Sequence, residues 1–141
     1  MSPRIFLDTN ILLDLLLERS GYQAASVILQ AGADGKATLY TSVLSMANIA
    51  YILRKKLSPG ILTPTLLQIA SLVNVLPMDE KLFREAVMLS GPDFEDILQT
   101  VCAAHGGCDM LITHNPKHFI IQAGLAQDWA PPRILAPEDY I

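Results

Sequence analysis

Asp8 follows three large apolar residues, Ile5-Phe6-Leu7, and precedes Thr9-Asn10 and a long apolar stretch. An apolar run of this length reads as a short strand buried on both faces. Asp8 therefore stands at the carboxyl end of a strand, where open α/β sheets hold their ligands. Two further carboxylates, Asp93 and Asp96, open a later helix-forming stretch. Their i, i+3 spacing puts both on one helical face. Ser42, Thr113 and Asn115 each fall at or just past the end of another strand-like run. Oxygen donors gathered in this way suit a hard cation such as Mg²⁺ or Mn²⁺, which takes few carboxylates and keeps several waters. A cation so held lowers the pKa of a bound water and stabilises charge on a phosphoryl group.

The elements that must position these residues can be read from the same sequence. After the strand before Asp8, residues 11–19 and 22–33 have helical patterns separated by Ser20-Gly21, and Asp34-Gly35 stops the second. Residues 37–41 read as a second strand, and Ser42 is placed to cap a helix from 43 to about 56. Ser58-Pro59-Gly60 reads as a loop, 62–73 as a helix with Pro64 near its start, and 74–77 as a short strand. Helices are expected over 79–90 and from Asp93 to about Ala104, then a strand over 109–113 and a polar loop over 114–119. A last strand is expected near 133–135. Strands that alternate with helices imply a parallel sheet covered on both faces. The expectation is a single α/β domain over residues 1–141.

Composition narrows the classes. The 141 residues are 51% hydrophobic and 17% charged, a globular balance with a formal net charge of −4. Such a chain has no bulk attraction for nucleic acid, so an RNA partner would need local basic groups or bound cations. Cys102 and Cys108 make no disulfide framework, and with His114 and His118 they match no standard zinc spacing, which leaves buried thiols as the plain reading. No signal peptide pattern and no membrane span is present, so the expected setting is cytoplasmic.

Four stretches resemble the PIN-domain family when taken together: FLDTN near the start, TSVLSMANIAYILRK, DFEDILQTVCAA, and LITHNPKHF. They run over nearly the whole chain, in order and at suitable spacings. The resemblance implies a three-layer α/β/α sandwich with a short central parallel sheet. It also implies a metal-dependent endoribonuclease, of the kind that includes VapC-like toxins of toxin–antitoxin pairs. On this reading Asp8, Asp96 and Asp93 would be catalytic and would hold Mg²⁺ or Mn²⁺, Asp93 as a further ligand. Asn10, Ser42, Asn48, Thr113 and Asn115 would line the pocket. The expected partners are an RNA substrate, an antitoxin protein and a second copy of the chain. The sequence departs from the family where many members carry acids: Asn48 and Asn115 are amides, which offer a carbonyl oxygen but no charge.

Each residue also has a structural reading. Asp8 and Asp93 can cap helices, and Asp96 can interact with a helix dipole. Asn10 and Asn115 can be turn residues. Asn48, in an apolar helix, needs a partner, and the expected one is Asp8. Arg54-Lys55-Lys56 read as a solvated helix end, while His114, Lys117 and His118 are nearer the expected active edge and are candidate phosphate contacts. Asp14 and Glu18 read as a polar stripe on a surface helix. Two other functions compete. One is a weak or inactive PIN-like module that binds RNA or a protein, motivated by the two amides. The other is a phosphotransferase of the haloacid dehalogenase type, which would need a second aspartate where this chain has Asn10. The apolar helices over 11–33 and 61–73 offer a surface for a homodimer or a partner helix.

Overall fold

Alternation along the first strand, β1 (Arg4–Leu7), divides the core in two. Ile5 and Leu7 belong to one buried cluster and Phe6 to the other, as the two-residue period of a strand requires. The computed structural model describes residues 2–123 and 129–140. Within them, β2 (Thr38–Ser42), β3 (Asn74–Leu76), β4 (Met110–Ile112) and β5 (Arg133–Leu135) join β1 in one sheet of order β3-β2-β1-β4-β5. Every pairing is parallel, with Phe6 opposite Tyr40 on one side and Leu111 on the other.

Helices cover both faces. The Ile5–Leu7 cluster takes in Ile11, Leu12 and Leu13 of α1 (Thr9–Leu17) and Ala25 and Ile28 of α2 (Tyr22–Ala33). It also takes in Ile49 and Leu53 of α3 (Val43–Leu53) and Ile69 of α4 (Pro59–Leu72). On the Phe6 side lie Leu82 and Ala86 of α5 (Glu80–Leu89), Ile97 and Val101 of α6 (Phe94–His105), and Phe119 of α7 (Pro116–Ala123). A short α8 (Pro137–Tyr140) packs against α2. The expected three-layer α/β/α sandwich is therefore the observed fold. Burial of a side chain such as Phe6 or Leu111 is worth roughly 1.5–3 kcal/mol, so the two clusters hold the layers together.

The chain runs outward from β1 through β2 to β3 and then returns to β4 on the other side of β1. The connections leaving β1 and β4 thus diverge at their carboxyl ends. This is the topological switch point, where a crevice opens in sheets of this kind. The Asp8 N–H donates to the Ile112 carbonyl (3.0 Å) and the Thr113 N–H to that of Leu135 (3.0 Å), which extends the ladder to the lip of the crevice.

Several boundaries differ from expectation. The stretch 58–60 is not all loop: α4 begins at Pro59, whose missing N–H costs nothing in the first turn, and Ser58 precedes it in extended conformation. Pro64 then lies more than a turn inside the helix. The expected polar loop over 114–119 turns into α7 after Asn115. There Pro116 presets the helical φ, the Asn115 carbonyl accepts the His118 N–H (3.1 Å), and buried Phe119 anchors the turn to the core. Glu18 is exposed, as expected, but lies just past α1 and caps it in the left-handed region at φ 50°. Among the described residues no helix is long and apolar enough to cross a membrane.

Candidate functional site

The extended backbone of Asp8 turns the chain from β1 into α1, and its carboxylate serves both elements. Oδ1 accepts the Thr9 N–H (2.9 Å), the helix-capping bond anticipated from sequence, and Oδ2 accepts the Thr113 hydroxyl (2.9 Å) from the end of β4. Burial pushes the Asp8 carboxyl above its ordinary range. The bonds from Thr113 and Thr9 oppose that rise, the charge of Glu95 adds to it, and that of His114 lowers it.

Across the crevice, the first turn of α6 carries the other acids. Asp93 is the N-cap, its Oδ1 accepting the Asp96 N–H (3.2 Å). His118 of α7 places Nδ1 2.6 Å from Asp96 Oδ2 and 4.0 Å from Asp93 Oδ2. One ligand atom from each of Asp93, Asp96 and His118 lies within 4.8 Å of the others. The Asp96 carboxyl is raised to about 6 from 3.8, first by burial and then by the charge of Asp93, with His118 pulling it down and Asp8 and Glu95 pushing it up. Carboxylates that repel one another in a half-buried cleft are a donor set that a hard cation relieves, so the residues present fit Mg²⁺ or Mn²⁺.

A cleft of about 360 Å³ joins these groups. Its walls include Asp8, Asn10, Asn48, Asp93, Asp96 and Asn115 of the residues singled out from sequence, with His118 at one side. Asn48 does have a partner, but it is not Asp8: its Nδ2 donates to Glu95 Oε1 at 2.8 Å. The bond runs from α3 to the first turn of α6, both of which border the cleft. Glu95 was overlooked in the sequence, although the acidic Asp93-Phe94-Glu95-Asp96 run contained it. Tyr51 and Ile52 of α3 complete the outer wall.

Other expected residues lie near the cleft without lining it. Thr113 is fully buried and acts through its bond to Asp8. Ser42 is buried as well: it caps α3 by accepting the Ser45 N–H (3.0 Å) and donates to Gln99 Oε1 (2.6 Å). Ser45 Oγ in turn accepts from Gln99 Nε2 (2.7 Å) and from the Thr9 hydroxyl (2.9 Å). This buried network ties together the elements that carry Asp8, Asn48 and Asp96. Lys117 is exposed, one residue before His118 on α7.

His114 turns away from the cleft. Its Nε2 meets Asp14 Oδ2, and Asp14, expected on a solvated stripe, is only 4% exposed. Arg19 Nε reaches Asp14 Oδ1 (2.9 Å), while Arg19 Nη2 donates to the carbonyl and Oδ1 of Asn10 (3.0 and 3.2 Å). The buried carboxylate thereby gathers two basic groups, one of which steadies Asn10 at the cleft. Gly21 permits this approach, since a Cβ there would stand 2.1 Å from Asp14 Oδ2. Cys102 and Cys108 are buried, with thiols pushed up to about 12 by burial, and lie in the Phe6-side core. They do not meet His114 or His118, so the zinc alternative is not assembled among the described residues.

Comparison with known proteins follows this geometry. The family described as PIN domain matches residues 4–117. The comparison with curated proteins returned no match. Among solved structures, the chain is similar to VapBC2 from Rickettsia felis bound to a promoter DNA fragment, with TM-score 0.69 and 15% identity over 94% of this chain and 98% of that one. It is also similar to a toxin–antitoxin complex from Klebsiella pneumoniae, at TM-score 0.68 and 21% identity over 94% and 97% of the two chains. For VapBC-1 from nontypeable Haemophilus influenzae the TM-score is 0.67, with 18% identity over 96% and 98%. At these identities the likeness is one of fold.

Proposed function

The chain belongs to the PIN domain family, and on that premise we propose that it is a metal-dependent endoribonuclease, the toxin of a toxin–antitoxin pair. The observation that carries this reading is the convergence of Asp93, Asp96 and His118 beside Asp8 at the switch point of the sheet. Asp8 and Asp96 would hold Mg²⁺ or Mn²⁺, with Asp93 assisting. A bound cation would supply two things there, a lowered pKa that yields hydroxide from a water and neutralisation of charge on the phosphoryl group.

The chain's own residues do the rest. Thr113 fixes the Asp8 carboxylate from behind, and the Thr9–Ser45–Gln99–Ser42 network fixes the elements around it. Asn48 and Asn115 offer amide groups to ordered water or to the substrate. His118, whose Nδ1 meets Asp96, would donate a proton to the leaving oxygen, and exposed Lys117 would contact a phosphate. His114, held by Asp14 outside the cleft wall, acts on the site through its charge, which lowers the Asp8 carboxyl.

Asn48 and Asn115 also favour a second reading, a weakened PIN-like module that binds RNA without cutting it. The two readings separate on RNA cleavage with Mn²⁺ and with EDTA, comparing the wild type with Asp8→Asn and Asp96→Asn. Cleavage that needs Mn²⁺ and falls by at least a hundredfold in both variants supports the nuclease. Metal-independent RNA binding with no cleavage in any form supports the module.

An antitoxin partner is the natural occupant of the apolar groove between α1, α2 and α4. Leu12, Leu15, Leu16 and Leu29 line it together with Ile69 and Leu72. Solved structures with this fold include toxin–antitoxin complexes, and an amphipathic helix laid in such a groove would bury its apolar face.

A further inference from the structure

Amide residues at two wall positions leave the cleft short of negative charge for a divalent cation, yet one carboxylate outside the expected set stands beside them. Glu95 lies in the first turn of α6 between Asp93 and Asp96, and it lines the same cleft. Asn48 of α3 donates its amide N–H to Glu95 Oε1 at 2.8 Å. Among the described residues Oε2 has no hydrogen-bond or ion-pair partner.

We propose that Glu95 is a ligand of the divalent cation and restores the acid that α3 lacks, with Asn48 as the residue that positions it. This inference rests on the metal-dependent reading above. An acid in the first turn of a helix is favourable for the dipole alone. That role, however, needs no bond from the carboxylate of an exposed glutamate to a second helix. The tether holds the carboxylate at the cleft wall, and its charge is felt by both Asp8 and Asp96. The pair Asn48–Glu95 therefore amounts to an acid and an amide with their places exchanged between facing helices. Counted around the cleft, Asp8, Asp93, Glu95 and Asp96 make four carboxylates rather than three. Metal affinity follows the number of charged ligands and the groups that orient them.

The test is Mn²⁺ titration by calorimetry, with circular dichroism of each variant as the check on folding. Glu95→Gln should weaken Mn²⁺ binding about tenfold or more, whereas Glu80→Gln, which removes an exposed acid on α5, should leave it unchanged. The exchanged double variant Asn48→Glu/Glu95→Gln should recover most of the loss. Wild-type affinity in Glu95→Gln, alongside lost binding in Asp96→Asn, would overturn the role of Glu95 and leave the metal site standing. Absence of Mn²⁺ binding in the wild type would instead overturn the metal-dependent reading and this inference with it.

Discussion

Asp96 is an acid whose charge the fold itself disfavours. Its carboxyl sits at about 6 in the folded protein against an ordinary 3.8, because burial and Asp93 both disfavour its charge. Between those values the folded state binds more protons than the unfolded state, so metal-free stability falls as pH rises from about 4 to about 6. Asp8, raised by burial, acts in the same direction. Asp96→Asn should flatten that part of the profile and stabilise the metal-free protein near pH 7 by about 1 kcal/mol, a figure reduced for its partial exposure. Saturating Mn²⁺ requires the ionised carboxylates and should reverse the slope in the wild type. Urea unfolding across pH, with and without Mn²⁺, measures both. A metal-free profile that rises from pH 4 to 6 would contradict the assignment. Asp8, Asp93 and Asp96 were legible in the sequence because a strand end and an i, i+3 spacing are local features. The bond from Asn48 to Glu95 was not, since it depends on how α6 docks against α3.

Elements explain where local reading ran out. Residues 114–119 looked like a loop because Asn115-Pro116 is a turn signal, but proline also starts helices, and the burial of Phe119 settles which use prevails. Asp14 looked solvated because helical periodicity cannot register what the next helix brings over it. The α1–α2 corner folds Arg19 back onto Asp14, and the segment after β4 adds His114 from the other side. Removing one partner of a buried ion pair strands the other, at a cost of about 3–5 kcal/mol when both are fully buried. Arg19 is 38% exposed at its side chain, which places Arg19→Ala below that range, with Asp14→Ala the more damaging change. Thermal unfolding of the two variants should show this order. Equal wild-type stability in both would mean that the corner is held by apolar packing alone.

At the scale of the molecule, alternating strands and helices made the α/β class legible, while the strand order was not, because no local signal says on which side of β1 the fourth strand returns. That order creates the switch point and so brings Asp8, from the start of the chain, against residues about a hundred positions later. A net charge of −4 and an acidic cleft repel RNA until a cation is bound, so RNA affinity at the cleft should depend on divalent metal. The apolar groove lies on the α1–α4 side of the sheet. Leu16→Glu and Leu72→Glu should therefore abolish capture of a co-expressed antitoxin and leave RNA cleavage within about twofold of wild type. Undiminished capture by both variants would place the partner elsewhere.

The central claim is that Asp8 and the α6 acids form a metal-dependent nuclease site. RNA cleavage by the purified chain, in Mn²⁺ and then in EDTA, with Asp96→Asn run beside the wild type, tests it most directly. The account predicts cleavage by the wild type in Mn²⁺ only, reduced at least a hundredfold in Asp96→Asn. Equal cleavage by both proteins, or wild-type cleavage that persists in EDTA, would contradict it.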